Sequence, residues 1–336
     1  MRKILASLAA GSLVLPLSVV AGSAATASAS PIPAAAKSVA GDTFAFINGD
    51  NADPFFLTIW KAAKAESQKY GVHLVEQAPP TFDATLQLSL LNDEIAKKVN
   101  GIILSPDADE GLSGAMATAK ADGIPVVLVN SDSTYNNNPD KIAAFTSSQI
   151  LLAELAAKAM GTLLHGTGTV GVINSVAGSL GDEQRGTYFI STIKADFPKI
   201  KVLAEQYDLD DRATADSLAT DEMEAHPDLS AIYGVDSFSG QGIGAAIEAA
   251  HKTGVIKEVA IDAEPQEVTL LKAGVIQALI AQAPYNMGIG AVQDLVYDLT
   301  GHTSEIKELN VLPPQEVTPQ NVNTPAIEKW VYASAP

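Results

Sequence analysis

The fold is decided by residues 43–63, TFAFINGDNADPFFLTIWKAA. Thr43 to Ile47 is a short apolar run that reads as a buried strand. Asn48 to Asp53 is a polar loop. Phe56, Ile59, Trp60 and Ala63 then fall at i, i+3, i+4 and i+7, which is one face of a helix. Strand, polar loop and helix make half of a βαβ unit, and the same alternation recurs down the chain. Val72 to Val75 reads as a second strand, Leu88, Leu91 and Ile95 stripe the next helix, and Gly101 to Leu104 make a third strand. A helix ending near Gly123 leads to a fourth strand, Pro125 to Val129.

A second series starts after Phe145 with a helix through Leu164. Strands follow at Val170 to Ile173, Val202 to Ala204, Ala231 to Tyr233, Val259 to Ile261 and Gln277 to Ile280, with helices between. Two successive sets of units without a long linker predict an α/β protein of two doubly wound, parallel-sheet lobes. Leu312 to Pro325, rich in Pro, Gln, Asn and Thr, reads as an extended crossing segment. Three crossovers are expected, near residues 145, 283 and 312. Residues 41–145 with 284–311 would then form one lobe, and 146–283 with 312–336 the other.

The 336 residues include 39 acidic and 21 basic side chains, a net charge of −18 that argues against a nucleic-acid partner. Hydrophobic residues at 47% and charged ones at 18% suit packed cores rather than disorder. The chain has no cysteine, which excludes disulfides, thiolate metal sites, a cysteine nucleophile and a lipid anchor on cysteine. Arg2-Lys3, an apolar run from Ile4 to Val20, and small residues ending Ala27-Ser28-Ala29 have the layout of a secretory signal, residues 1–29. Export to a periplasm is the expectation.

In open α/β sheets, ligands meet the loops that leave the carboxyl ends of strands. Polar residues concentrate there: Asn48 to Asp53, Ser105 to Glu110, Asn130 to Asp132, Asp208 to Asp211, Asp236 to Ser239, Asp262 to Glu264, and Gln282. Each could simply cap the helix that follows. Their repetition favours a shared site.

Several of these segments resemble, in order and at workable spacing, the type I periplasmic sugar-binding proteins of ABC importers, those similar to the ribose-binding protein. Asn51-Ala52-Asp53-Pro54-Phe55-Phe56 looks like that family's polar-Pro-Phe-Phe turn. Gly123-Ile124-Pro125-Val126-Val127 precedes a polar triplet, Asn130-Ser131-Asp132. Glu183-Gln184-Arg185-Gly186 looks like the segment that carries the ligand-binding arginine. His226-Pro227-Asp228, Ile261-Asp262-Ala263-Glu264-Pro265 and Ala281-Gln282-Ala283-Pro284 complete the series. The resemblance implies capture of a monosaccharide, polyol or amino sugar between two lobes, and delivery to a membrane permease with a separate ATPase. It implies no enzyme activity, no cofactor and a monomeric chain. Carried over residue by residue, the ligand contacts are Asp53, Phe56, Asn130, Arg185, Asp236, Asp262 and Gln282, followed by Ser131, Asp132 and Asp210. Of Phe55 and Phe56, one is expected to serve mainly as core packing. For Arg185 the competing reading is a surface salt bridge with Asp182.

The chain also departs from the family pattern. Ser131 stands where the ribose-binding pattern has a second arginine, Asp210 where it has an aromatic ring, and Asp236 where it has an asparagine. Asp53, Asp132, Asp210, Asp236 and Asp262 would face one arginine, and unpaired buried carboxylates are costly. Either some of them lie outside the site or the ligand brings positive charge.

Other motifs carry less. Gly166-Thr167-Gly168-Thr169-Val170-Gly171 matches G-x-G-x-x-G but opens a strand after a helix, the reverse of a dinucleotide fingerprint. No Walker P-loop occurs. The histidines lack metal-ligand spacing, and Asp107-Ala108-Asp109-Glu110 lacks most of a calcium loop, so no metal is expected. Gly240, Gly242 and Gly244 could bring a backbone close to a ligand or to a neighbouring element. A glycoside hydrolase with paired aspartates remains an alternative function, as does a sugar sensor signalling to a membrane receptor. A repressor would need a helix-turn-helix before residue 40, where the export signal stands.

Overall fold

The computed structural model describes residues 37–49, 51, 53–80, 83–106, 111–130, 137–177 and 180–332. Residues 1–29, read above as a secretory signal, the Asp107–Glu110 run, Ser131 and Asp132 lie outside the described residues.

The first sheet contains β1 (Thr43–Ile47), β2 (His73–Gln77), β3 (Gly101–Leu104), β4 (Val126–Val129), β5 (Ala143–Ser147) and β12 (Leu309–Leu312). Its order is β12-β5-β4-β3-β1-β2, with every neighbouring pair parallel. Helices α1 (Pro54–Lys69), α2 (Ala84–Ala96), α3 (Ser113–Ala121) and α9 (Pro284–Thr300) cover it, α1 against α9 and α2 against α3. The strands read as continuous apolar runs because both faces are covered. Ile47, Leu91, Ile102, Leu104, Met116 and Leu128 form part of the core on the α2–α3 side.

The second sheet contains β6 (Thr167–Asn174), β7 (Lys199–Val202), β8 (Gln206–Tyr207), β9 (Leu229–Gly234), β10 (Lys257–Ile261), β11 (Ala278–Ala281) and β13 (Gln315–Val317). The order is β13-β11-β10-β9-β6-β7, with β8 beside β6 and only β13 antiparallel to its neighbour. Its helices are α4 (Gln149–Leu163), α5 (Leu180–Asp196), α6 (Arg212–Ala225), α7 (Ser237–Ala249) and α8 (Pro265–Ala273). A short tail helix, α10 (Pro325–Glu328), follows the last strand. The chain passes between the sheets after Ser147, after Ala281, and between Leu312 and Gln315.

Local differences from the sequence reading have plain causes. The strand expected at Val202 to Ala204 lies at Lys199–Val202, where lysines flank a buried Ile200 at a sheet edge. Charged alternation of that kind protects an edge and hides the strand signal. β5 gives no strand signal in the sequence because Ala143-Ala144 has little β-propensity, although the whole strand is buried. The glycines of α7 are packing positions. A Cβ on Gly240 would meet the Cβ of Ala260 at 2.7 Å, and one on Gly242 would meet the Arg212 carbonyl oxygen at 2.5 Å.

Candidate functional site

The carboxyl ends of both sets of parallel strands open on one cleft of about 550 Å³, within the usual range for a small-molecule site. Asp53, Phe55, Phe56, Asn130, Arg185, Asp210, Asp236, Asp262 and Gln282 all line it. These are all the candidate residues that fall among the described ones. Gln149, Ser175, Asp182, Ser237, Phe238 and Glu264 also line the cleft and were not among the candidates.

Helix capping and cleft lining turn out to be the same property at several positions. Asp53 caps α1, accepting from Phe55 N at 2.7 Å, and Pro54 occupies the first helical turn, where its missing N–H costs nothing. Asp236 caps α7 by accepting from Ser239 N at 2.8 Å. Glu264 sits at the start of α8, and its backbone N–H donates to Glu267 Oε2 at 2.9 Å. Asn130 and Asp262 each follow a central strand with φ of +48° and +85°. Non-glycine residues in that left-handed region are uncommon and persist where the surrounding structure holds them.

Arg185 is 7% exposed, which removes the surface-pair reading. Its Nε donates to Gln149 Oε1 at 2.7 Å and its Nη1 to the Val235 carbonyl at 3.0 Å. The Asp182 carboxylate stands 3.4 Å from Nη1, so the contact foreseen on the helix exists, but inside the cleft. Phe189 and Tyr233 stack at 3.9 Å and lock α5 on β9. Burial works against the guanidinium charge, and the carboxylates of Asp182, Asp262 and Asp236 outweigh it, holding the group protonated.

Asp262 is braced just as firmly. Its Oδ1 accepts from Gln282 Nε2 at 2.8 Å and from Tyr332 Oη at 2.7 Å. The Tyr332 hydroxyl also accepts from Gln282 N at 3.1 Å, and its ring meets Phe55 edge-on at 5.6 Å. Phe55 in turn meets Phe56 edge-on at 5.3 Å, and both rings are buried. The tail thus reaches the base of the cleft, a contribution that no loop motif announced.

Among the described residues the site is acidic beyond what its one arginine offsets. Burial raises Asp236 to about 8, with Asp182, Asp208 and Asp210 adding like charge. Burial, then the Glu264 charge, pushes Asp53 well above the ordinary carboxylate range, and the two side chains share a hydrogen bond. Asp208, fully buried behind the cleft, accepts from Ser239 Oγ at 2.6 Å and Asp210 N at 2.9 Å, and burial brings it to about 6. Not every polar loop joins in. The carbonyls of Asn48 and Ser105 are bound by Gln87 Nε2 at 3.0 and 2.6 Å, and neither residue lines the cleft. Among the described residues no three of His, Asp and Glu are grouped to hold a metal, and no helix is long and apolar enough to cross a membrane.

A profile of the periplasmic binding protein domain matches residues 44–303, a span that includes strands of both sheets. The chain belongs to the periplasmic binding protein family. This binding protein is 25% identical over 272 residues to the ribose import binding protein of Escherichia coli K12, covering 81% of this chain and 90% of that one. It is 27% identical over 253 residues to the D-allose-binding periplasmic protein of the same organism, covering 73% and 80%. It matches the structure of an ABC transporter solute-binding protein from Agrobacterium vitis, bound with α-D-tagatopyranose, with a TM-score of 0.78 and 28% identity. That match covers 87% of this chain and 100% of the other. The likeness is therefore to whole two-lobed molecules, and the type I resemblance seen in the motifs holds.

Proposed function

We propose that this binding protein captures a monosaccharide, polyol or amino sugar between its lobes and delivers it to the membrane permease of an ABC importer, whose ATPase is a separate protein. The observation that carries the reading is convergence: residues from separate family-like motifs, far apart in the chain, line one cleft between two parallel sheets. In this reading Phe56 covers the apolar face of a sugar ring while Asn130, Arg185, Asp236, Asp262 and Gln282 engage its hydroxyls. Ser131 and Asp132, which lie outside the described residues, are proposed as further contacts on the family resemblance alone. Hydrogen bonds to charged groups contribute about 1.5 to 3 kcal/mol each, so a few suffice for the roughly −8 kcal/mol of a micromolar complex.

The lobes are assigned as residues 41–145 with 284–311, and 146–283 with 312–336; strand membership supports this division to within a few residues. A periplasmic, monomeric protein without catalysis fits the relatives' transport roles. The hydrolase alternative would use two aspartates about 5 Å or more apart, whereas the relatives' names describe binding and import.

A thermal-shift screen against aldoses, polyols, amino sugars and inositols tests the reading, because a ligand that binds only the native state raises its melting temperature. At least one compound should raise it, and the matching glycoside should remain intact. No shift with any class, or turnover of a glycoside, would overturn the proposal.

A further inference from the structure

Among the described residues, the cleft is walled by six carboxyl groups, Asp53, Asp182, Asp210, Asp236, Asp262 and Glu264, against the single cation Arg185. Arg185 is already engaged by Gln149, Val235 and Asp182. Asp53 and Glu264 meet through a hydrogen bond that requires a proton between them. Asp236 spends one oxygen on the Ser239 amide and stands beside Asp182 and Asp210. Independently of this cluster, Gln282 lines the cleft at 4% exposure, and its Oε1 has no hydrogen-bond partner. Even with one proton shared by Asp53 and Glu264 and another on Asp236, the described walls therefore offer more acceptors than donors and more carboxylates than the arginine offsets.

A neutral sugar does not correct either excess, since each hydroxyl brings an acceptor with its donor and no charge. An ammonium group brings three donors, no acceptor and one positive charge. Carboxylates that are costly to bury alone become favourable partners for it. The sequence leaves open whether some of its five candidate aspartates lie outside the site or the ligand is cationic; Asp53, Asp210, Asp236 and Asp262 line the cleft, and Asp132 is outside the described residues.

We infer that the cleft takes a polyhydroxy compound carrying a protonated amine, an amino sugar or aminocyclitol, with the ammonium beside Asp236 and facing Asp182 and Asp210. This rests on the sugar-binding reading of the same cleft and narrows it. The hydroxyls would then meet Asn130, Asp262 and Gln282, and the ring would lie against Phe56.

The test is calorimetric titration with matched pairs, D-glucose and D-glucosamine, D-galactose and D-galactosamine, D-allose and D-allosamine, at low and high sodium chloride. In the pair that binds, the amine should bind about tenfold more tightly or better, and its advantage should shrink as salt rises. Asp236→Asn should remove most of that advantage. Asp210→Asn, on an exposed loop and so a safe variant for folding, should remove a smaller part. A neutral sugar that binds as tightly as its amine in every binding pair would overturn the inference while leaving the sugar-binding reading intact. If no member of any pair bound, and the wider thermal-shift screen were also silent, both would fall.

Discussion

The two lobes face the cleft with different equipment. The first brings Asp53, two aromatic rings and Asn130, whereas the second brings one ring, Phe238, and a larger polar set, Gln149, Asp182, Arg185, Asp210, Asp236, Asp262, Glu264 and Gln282. The second lobe's groups are also cross-braced: Arg185 by Gln149 and Val235, Asp262 by Gln282 and Tyr332, Glu264 by Gln241 Nε2 at 2.8 Å. On the proposed function this is a division of labour, with one lobe presenting a braced polar surface and the other most of the aromatic faces. Ligand would dock on the second lobe and be enclosed by the first, since contacts from both are complete only when the lobes are together.

The largest expected effect follows from that asymmetry. Arg185→Ala should lower affinity for the ligand about a hundredfold or more, because about two charge-assisted hydrogen bonds are lost and nearby carboxylates lose their counter-ion. Calorimetry on the variant checks it, and an affinity within a few-fold of the parent would remove Arg185 from the recognition surface. Tyr332→Phe should cost less. It deletes the hydroxyl that holds Asp262 and Gln282 N but keeps the ring on Phe55, so a loss of about fivefold is expected, in line with a neutral hydrogen bond of about 1 kcal/mol. An equal or greater loss than at Arg185 would mean that the tail, not the second lobe's interior, organises the site.

The smallest effect concerns stability, and it too separates the lobes. Each lobe buries a carboxyl with an unpartnered oxygen: Glu258 on β10, both of whose oxygens lack partners, and Asp294 on α9, whose Oδ2 does. Burial raises Glu258 well above its ordinary value and Asp294 to about 7. A carboxyl raised in the folded state stays protonated there while the unfolded chain has already lost its proton. Stability is therefore full below the unfolded value and falls as pH rises from about 4 through the folded one. Asp294→Asn should flatten the melting profile between about pH 4 and pH 7 and gain on the order of 2 kcal/mol above it. Glu258→Gln should flatten a window that extends further upward. Unchanged pH profiles would show that both carboxyls find partners in solution.

Much of this was legible in the chain, and the parts that were not share a cause. Buried parallel strands announce themselves as apolar runs, and the polar loops after them mark the cleft's neighbourhood, within which the family resemblance picks out Asp53, Asn130, Asp236 and Asp262. Gln149 could not, because it enters the site only through the crossing from β5 into α4, and β5 itself is masked by its alanines. Asp182 enters the sequence reading only as the competing surface partner of Arg185, because a helix shows an i, i+3 pair without showing which side is buried. Glu264 was visible as part of the Asp262–Glu264 turn, yet only the fold brings it against Asp53. Tyr332 lies 70 residues from Asp262, and no periodicity links them.

The central claim is that one small polyhydroxy ligand is held from both lobes at once, with the second lobe supplying the polar recognition. A crystal structure with the compound selected by the thermal-shift screen tests it most directly. The account predicts the ligand in the cleft with its polar groups on Arg185, Asp236 and Asp262 and its apolar face against Phe56. A ligand seated elsewhere, or touching one lobe alone with these residues uninvolved, would contradict it.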